Sequence, residues 1–133
     1  MSPDGPKPRR NLLVVDDDSV IRTLLHAALE QKYDVQCVPN GPDVPALIEK
    51  RKPDLVLLDI NMPGSDGYAL CSAIRAQTER LLLPILFMTV CHYDKGFFDG
   101  LRTGGNALIR KPFELPVLKS RIDALLKPPP SPV

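Results

Sequence analysis

Four aspartates, a threonine and a lysine stand at places in this sequence where they could act together on a phosphoryl group. Three consecutive aspartates, Asp16–Asp18, follow the apolar run LLVV, and Asp59 follows the apolar run LVLL. Clustered carboxylates repel each other unless a cation lies among them, and their hard oxygen atoms suit Mg²⁺. A carboxylate can attack phosphorus, while the Thr89 hydroxyl and the Lys111 ammonium can bind phosphoryl oxygens. These residue types predict a metal-assisted phosphoryl transfer, provided that the fold brings them together.

The elements that would position these residues follow from hydrophobic patterning. The runs LLVV, LVLLDI and LPILFMT are typical of strands covered on both faces, and DVQCV and ALIRKP supply two further strands. Asp18 or Ser19 is a suitable N-cap for the first helix. Helical patterns follow the strands over residues 20–29, 41–52, 67–79, 93–105 and 114–127. This alternation predicts an α/β protein with a three-layer doubly wound (βα)5 fold around a five-stranded parallel sheet.

The candidate residues all fall at the C-terminal ends of predicted strands, the edge where open parallel sheets form their sites. Strands one, three, four and five end, respectively, in Asp16 with Asp17, in Asp59, in Thr89 and in Lys111. Asp59 stands alone at the end of the central strand, so it is the best-placed nucleophile. Each residue alone is more often structural, since a strand-end aspartate usually caps a helix. Their convergence on one edge is what predicts a site.

Composition and charge exclude several classes of protein. The chain of 133 residues is long enough for one domain. Its 17 basic and 16 acidic residues leave a formal net charge of +1, which gives no excess of positive charge that would attract nucleic acid or anionic lipid. No apolar run approaches a membrane span and no signal-peptide pattern is present, so we expect a cytoplasmic protein. The three widely spaced cysteines lack zinc-site spacing and are expected to be free thiols.

Four segments of the sequence, LLVVDDDSVIR, DLVLLDINMPGSDGY, PILFMT and IRKPF, resemble the motifs of the response-regulator receiver domain of two-component signalling, as found in chemotaxis regulators. The resemblance covers residues 11–127. Proline-rich composition predicts a flexible N-terminal tail at 1–10 and a Pro-rich tail or linker start at 128–133, and the resemblance implies a flavodoxin-like sheet with strand order 2-1-3-4-5. It also implies a regulatory domain rather than an enzyme, one that assists only its own phosphorylation and dephosphorylation.

The resemblance implies a role for each candidate residue. Asp59 matches the phosphoacceptor, which takes a phosphoryl group from a phospho-histidine donor in a Mg²⁺-dependent reaction. The residues implied to hold the metal ion are Asp16, Asp17, Asp59 and, through its backbone carbonyl, Asn61. Thr89 matches a switch hydroxyl, and Lys111 matches the lysine that contacts the phosphoryl group and precedes a cis peptide bond. Gly64 and Gly67 match the loop after strand three, where a positive φ is useful.

The implied partners are a sensor histidine kinase or phosphotransfer protein as phosphoryl donor, and a downstream effector whose identity the sequence does not indicate. The effector is expected on a face made by the fourth predicted helix, the fifth strand and the fifth helix. The family often dimerises on this face, so a homodimer is a further expectation. Direct binding of nucleic acid or of a membrane is not expected.

Some positions depart from the common pattern of the family or bear on its switching. Leu108 stands where an aromatic ring is usual, and Val90 stands where Ala or Gly is usual, so that its branched side chain would narrow access to Asp59. Cys91 and Asn61 occupy the two positions associated with tuning the dephosphorylation rate. Because Leu108 replaces the aromatic ring and the fourth predicted helix contains Gly96, we expect the effector face to signal by a shift of that helix rather than by an aromatic flip.

Two alternative interpretations remain open. A binding module that keeps the fold without being phosphorylated would be consistent with Leu108 and Val90. The segment VVDDDSV also fits the opening of haloacid-dehalogenase-type phosphatases, with Asp16 as nucleophile and Asp18 as acid/base, although the chain is short for that family. Modification of Asp59 or of Asp16 by a phosphoryl donor distinguishes these interpretations.

Overall fold

The computed structural model of this chain describes residues 9–39, 43–60, 67–77, 83–90 and 107–126. Its strands are β1 (Asn11–Val15), β2 (Asp34–Val38), β3 (Leu55–Asp59), β4 (Ile85–Thr89) and β5 (Ala107–Arg110). Its helices are α1 (Ser19–Leu29), α2 (Val44–Arg51), α3 (Gly67–Gln77) and a C-terminal helix (Leu115–Leu126). None of these described helices is long and apolar enough to cross a membrane. The helix predicted over 93–105 lies outside the described residues.

The strands form one parallel sheet in the order β2-β1-β3-β4-β5, which confirms the predicted doubly wound fold. β1 lies between β2 and β3, with Val15 opposite both Val38 and Leu58. On the other side of β3, Asp59 lies opposite Met88 of β4. This register places the C-terminal ends of β1, β3 and β4 at about the same level, so the residues that end or follow these strands meet at one edge.

Two hydrophobic layers, one on each face of the sheet, explain why the central strands are apolar at nearly every position. Successive side chains of a strand point to opposite faces, so Leu13 and Val15 lie in one layer while Leu12 and Val14 lie in the other. Side chains of α2 and α3 complete the first layer, and side chains of α1 and the C-terminal helix complete the second. Every residue of β3 and β4 is buried, so the ends of these strands are firmly positioned.

The apolar faces of the helices are narrower than the sequence periodicity suggests. In α1, Leu25 and Leu29 are buried, whereas Val20 is 70% exposed and Leu24 is 46% exposed. Val117 in the C-terminal helix is exposed in the same way. A helix that covers one face of a sheet buries only a stripe of its surface, so apolar residues at the margin of the stripe stay in contact with solvent.

Candidate functional site

Three carboxylates meet at the C-terminal edge of the sheet. Asp16 follows β1 directly and Asp59 is the last residue of β3, and the two are buried at 0% and 2% exposure. Asp17 is exposed and lies beside them, so that one carboxylate oxygen of each residue lies within 4.8 Å of the other two. The structure therefore brings together the three aspartates that the sequence predicted to share a site.

A lysine ammonium lies between the two buried carboxylates. Lys111 follows β5, and its Nζ atom donates to Asp16 Oδ2 at 2.7 Å and lies 3.5 Å from Asp59 Oδ2. Burial of Lys111 opposes its charged form, but the hydrogen bond to Asp16 and the attraction of both carboxylates outweigh burial and raise the pKa of Lys111 above 10.5. The ammonium is therefore charged at neutral pH and offsets part of the repulsion between the carboxylates.

Asp16 is held at each of its polar atoms. Its N–H donates to the Val38 carbonyl at 3.1 Å, and its own carbonyl accepts a hydrogen bond from Arg22 Nη1 at 2.7 Å. Its Oδ1 accepts from the N–H of Asp18 at 2.9 Å, while its Oδ2 accepts from Lys111. These contacts fix both the backbone and the carboxylate plane of Asp16.

Arg22 is a contact of the site that the sequence analysis missed. The residue lies four positions after Asp18 in α1, and long side chains in a helix point back towards its N-terminus. This direction carries the guanidinium to the turn between β1 and α1. The signal that could have revealed it is this spacing, since an arginine one turn into a helix reaches the backbone that precedes the helix.

Asp18, the third aspartate of the run, caps the first helix. Asp18 is the N-cap of α1, with extended backbone angles (φ −82°, ψ 112°), and its Oδ1 accepts from the N–H of Val20 at 2.9 Å. A capping carboxylate of this kind satisfies a backbone donor that the first turn leaves unpaired. The predicted cap is thus confirmed, and Asp18 is separate from the acidic cluster of Asp16, Asp17 and Asp59.

Thr89 and Lys111 are joined through the backbone where β4 and β5 end. Thr89 is the last residue of β4 and is fully buried, and its carbonyl accepts a hydrogen bond from the N–H of Lys111. The peptide bond between Lys111 and Pro112 is cis, as expected. Both residues therefore stand at the same edge of the sheet as the acidic cluster.

Gly67 packs directly against the end of the strand that carries Asp59. A Cβ atom on Gly67 would lie 2.6 Å from the Ile60 Cα atom and 2.7 Å from the Asp59 carbonyl oxygen, closer than real Cβ contacts. The expectation that Gly67 supplies a positive φ is wrong, because its φ lies outside the left-handed region and the residue begins α3. Glycine is required here because it lacks a side chain where the two backbones approach.

Several predicted features lie outside the described residues, namely Asn61, Gly64, Cys91 and the helix over 93–105. The other two departures from the family pattern are described. Val90 is 61% exposed and directly follows Thr89. Leu108 is half-buried and packs on the hydrophobic layer that α2 and α3 complete, so its side chain belongs to the core.

The acidic cluster offers the donor atoms that a hard divalent cation requires. Mg²⁺ takes octahedral oxygen ligands at about 2.0–2.1 Å, so adjacent ligand oxygens lie about 3 Å apart, and some ligands are usually waters. The three carboxylate oxygens lie within 4.8 Å of one another, and small side-chain rotations or an intervening water bring them to that spacing. The donor set therefore fits Mg²⁺.

Comparison with known proteins gives a consistent result. The family model described as response regulator receiver domain matches residues 12–123. The transcriptional regulatory protein AfsQ1 of Streptomyces coelicolor is 36% identical over 118 residues, which are 88% of this chain and 51% of AfsQ1. The present chain thus spans about half the length of this curated relative.

Solved structures with the same fold include two receiver-sized proteins. The chemotaxis protein CheY4 of Vibrio cholerae superposes with a TM-score of 0.84 at 27% identity, covering 89% of this chain and 99% of that one. The BeF3-activated N-terminal receiver domain of Klebsiella pneumoniae RstA superposes with a TM-score of 0.80 at 34% identity, covering 90% of this chain and 100% of that one. Each of these similarities covers about nine-tenths of the present chain.

Proposed function

Because this chain belongs to the family of response regulator receiver domains, we propose that Asp59 accepts a phosphoryl group from the phospho-histidine of a sensor histidine kinase or phosphotransfer protein. The observation that carries this proposal is the position of the Lys111 ammonium, 2.7 Å from Asp16 and 3.5 Å from Asp59, beside a third carboxylate. The arrangement supports this role, because it sets the Asp59 carboxylate beside a fixed positive charge at one edge of the sheet. Phosphoryl transfer requires mainly such positioning and charge stabilisation.

In the proposed reaction a carboxylate oxygen of Asp59 attacks phosphorus, and an acyl phosphate forms as the phosphorus–nitrogen bond to the donor histidine breaks. The bonding electron pair stays on the imidazole nitrogen, which takes up a proton. Lys111 neutralises charge on one phosphoryl oxygen, and the Thr89 hydroxyl donates to another. The burial of Asp59 and Thr89 excludes bulk water from two of these groups, which strengthens the electrostatic interactions at the site.

The proposed metal ligands are Asp16, Asp17, Asp59 and the backbone carbonyl of Asn61. Bound Mg²⁺ would supply positive charge that offsets the repulsion between the carboxylates and the incoming phosphoryl oxygens. Asp16 contributes a carboxylate whose plane is already fixed by the Asp18 N–H and by Lys111. Asp17 contributes an exposed carboxylate at the mouth of the cluster.

Phosphorylation is proposed to act on an effector through the face formed by β5, the C-terminal helix and the segment 93–105, which is also the proposed homodimer face. Leu108 packs into the core, which supports a switch that does not depend on an aromatic ring at this position. The folded receiver is proposed to cover 11–127, with tails at 1–10 and 128–133, and to work in the cytoplasm. AfsQ1 is named as a transcriptional regulator, and the matched segment is only 51% of its length, so an output partner or domain is part of this proposal.

The two alternatives have less support than phosphoacceptance at Asp59. A phosphatase of the haloacid-dehalogenase type would need Asp18 as acid/base beside Asp16, but the Asp18 carboxylate caps α1 through Val20. A non-phosphorylated binding module would have no need for two buried carboxylates and an ammonium together at one edge of the sheet. The family match also favours neither alternative.

Labelling with acetyl phosphate and Mg²⁺ tests the proposal directly. Borohydride reduction of the acyl phosphate, followed by peptide mass spectrometry, locates the modified aspartate. We expect modification at Asp59, none in Asp59→Asn, and full labelling in the control Asp34→Asn, which changes an exposed aspartate at the opposite end of the sheet. Labelling at Asp16 would support the phosphatase, and the absence of labelling with any donor would support the binding module.

A further inference from the structure

The guanidinium of Arg22 holds the backbone that carries the acidic cluster. Arg22 Nη1 donates to the carbonyl oxygen of Asp16 at 2.7 Å. The main chain of Arg22 is itself fixed, because its N–H donates to the Asp18 carbonyl at 3.0 Å and its carbonyl accepts the Cys37 thiol at 3.6 Å. A guanidinium stays charged and presents its donors in a fixed plane. The contact is therefore a rigid connection between α1 and the turn after β1.

The carbonyl that Arg22 holds belongs to the peptide group between Asp16 and Asp17. A peptide group is planar, so the position of its oxygen also determines the direction of the Asp17 N–H and the placement of the Asp17 Cα atom. Rotation of this plane changes ψ of Asp16 and φ of Asp17 together. Such a rotation would redirect the Asp17 side chain, so the orientation of the plane decides where the Asp17 carboxylate points.

Asp17 depends on this plane more than its neighbours do. The carboxylate of Asp16 is bound on both oxygens, and the carboxylate of Asp18 accepts the capping hydrogen bond. In the part of the chain that the structure describes, the exposed carboxylate of Asp17 has no hydrogen bond or ion pair. It nevertheless contributes one of the three oxygens that lie within 4.8 Å of one another. Within the described residues, its direction is therefore set by the backbone.

We propose that Arg22 is a positioning residue for Asp17 in the Mg²⁺ site, an inference that rests on the metal ligands of the proposed function. Arg22 acts through the Asp16–Asp17 peptide group and contacts no reacting atom. Its positive charge by itself disfavours a nearby cation, since like charges repel. Removal of the guanidinium therefore has opposite effects under the two explanations: loss of positioning weakens Mg²⁺ binding, whereas loss of charge alone strengthens it.

The test compares Mg²⁺ dissociation constants of the full chain, measured by isothermal titration calorimetry, for wild type, Arg22→Met, Arg22→Lys and Arg51→Met. Arg51 is an exposed arginine at the end of α2, so the same substitution there removes equal charge without touching the turn. We expect Arg22→Met to raise the dissociation constant about tenfold, as is common for groups that orient metal ligands. Arg22→Lys should give an intermediate value because it keeps a charged donor, and Arg51→Met should match wild type.

A double-substitution cycle with Asp17→Ala shows which residue Arg22 acts through. In the Asp17→Ala background, Arg22→Met should no longer raise the dissociation constant, because the positioned residue is gone. Unchanged or tighter binding in Arg22→Met overturns the inference, and so does an equal loss in both backgrounds. Should Arg22→Met fail to fold, as judged by circular dichroism in EDTA, Arg22→Lys compared with Arg51→Lys makes the same test at constant charge.

The outcomes separate this inference from the function on which it rests. If wild type binds no Mg²⁺, or if Asp17→Ala binds it as tightly as wild type, the proposed metal site is wrong and the inference fails with it. If Asp17→Ala weakens binding while Arg22→Met does not, the metal site stands and only the positioning role of Arg22 is refuted.

Discussion

Substitution of Lys111 by methionine removes the ammonium between two buried carboxylates while keeping most of the side-chain length. Nζ lies 2.7 Å from Asp16 Oδ2 and 3.5 Å from Asp59 Oδ2. At an effective dielectric constant of about 20, these separations correspond to attractions of about 6 and 5 kcal/mol. Two carboxylates at the 4.8 Å limit of the cluster repel each other by about 3 kcal/mol on the same scale.

Dehydration of the three groups offsets much of that attraction, and removal of one partner from a buried ion pair costs about 3–5 kcal/mol. The Lys111 side chain keeps 14% exposure. We therefore expect Lys111→Met to lower the free energy of unfolding of the metal-free protein by about 3 kcal/mol, the low end of that range. For a domain of this size the corresponding fall in Tm is about 10 °C.

Urea unfolding in EDTA at neutral pH, followed by circular dichroism, measures this loss. Lys119→Met is the matched control, because Lys119 is an exposed lysine in the C-terminal helix. The double variant Asp16→Asn/Lys111→Met should recover most of the loss, since it removes one of the two repelling charges and keeps a side-chain oxygen for the Asp18 N–H. If Lys111→Met is as stable as Lys119→Met, the two carboxylates do not need the ammonium and the reasoning is refuted.

The same ion pair predicts a pH dependence whose sign follows from the raised pKa of Lys111. A group whose pKa is higher in the folded than in the unfolded state contributes stability that is complete below its unfolded value and is lost as the pH rises through its folded value. The difference in unfolding free energy between wild type and Lys111→Met should therefore be constant from neutral pH up to about pH 10 and shrink above the ordinary lysine pKa of 10.5. A difference that shrinks at neutral pH would contradict the assignment.

Three further predictions concern two positions beside the site and one at the opposite end of the sheet. Gly67→Ala should lower the free energy of unfolding by about 1–3 kcal/mol and reduce acetyl-phosphate labelling, because the new Cβ meets backbone atoms that cannot move aside; normal stability and labelling would refute the close approach. Asp18→Ala should lower the free energy of unfolding in urea by about 1 kcal/mol, because the helix cap is lost, and should keep the wild-type Mg²⁺ affinity. Asp17→Ala should instead weaken Mg²⁺ binding in calorimetry. Equal losses of affinity in the two variants would return Asp18 to the metal site. Tyr33→Phe should lower the free energy of unfolding at neutral pH by about 1–2 kcal/mol, because the Tyr33 hydroxyl donates to the Asp123 carboxylate. Burial and this hydrogen bond raise the pKa of Tyr33 above 10.0 in the folded state. Ionisation of the hydroxyl therefore favours the unfolded state, and wild type loses stability as the pH rises above 10. Tyr33→Phe should lose less stability over that range, because it has no hydroxyl to ionise.

Much of the fold could be predicted from local patterns. The fully apolar strands β3 and β4 indicated burial on both faces, and the alternation of strands with helices indicated a parallel sheet. The placement of Asp59 and Thr89 at strand ends followed from the same patterns, because a strand ends where its apolar run ends. The strand order came from the motif resemblance, since hydrophobic periodicity carries no information on which strands are neighbours.

Periodicity was less informative about surfaces and close contacts. Val20 and Leu24 belong to the apolar repeat of the helical pattern over 20–29, but both are exposed, because the sheet decides how wide a stripe of α1 is buried. Sequence patterns also gave no reason for a glycine at position 67 other than its backbone freedom. The approach of Gly67 to the Asp59 carbonyl depends on how α3 packs on β3, and that packing is a property of the assembled molecule.

The run of three aspartates shows where local sequence stops being sufficient. Its residue types and its place after β1 indicate carboxylates near the functional edge of a sheet, and the helix that follows indicates a capping residue. Which carboxylate does which task depends on groups distant in sequence. The Asp16 carboxylate is bound by Lys111, which follows β5 and lies 95 residues away, and the Asp16 carbonyl accepts from Arg22. Asp18 is left to cap the helix. Side-chain direction in a turn follows from its backbone torsions, and contacts that exist only after the sheet and α1 have assembled set those torsions.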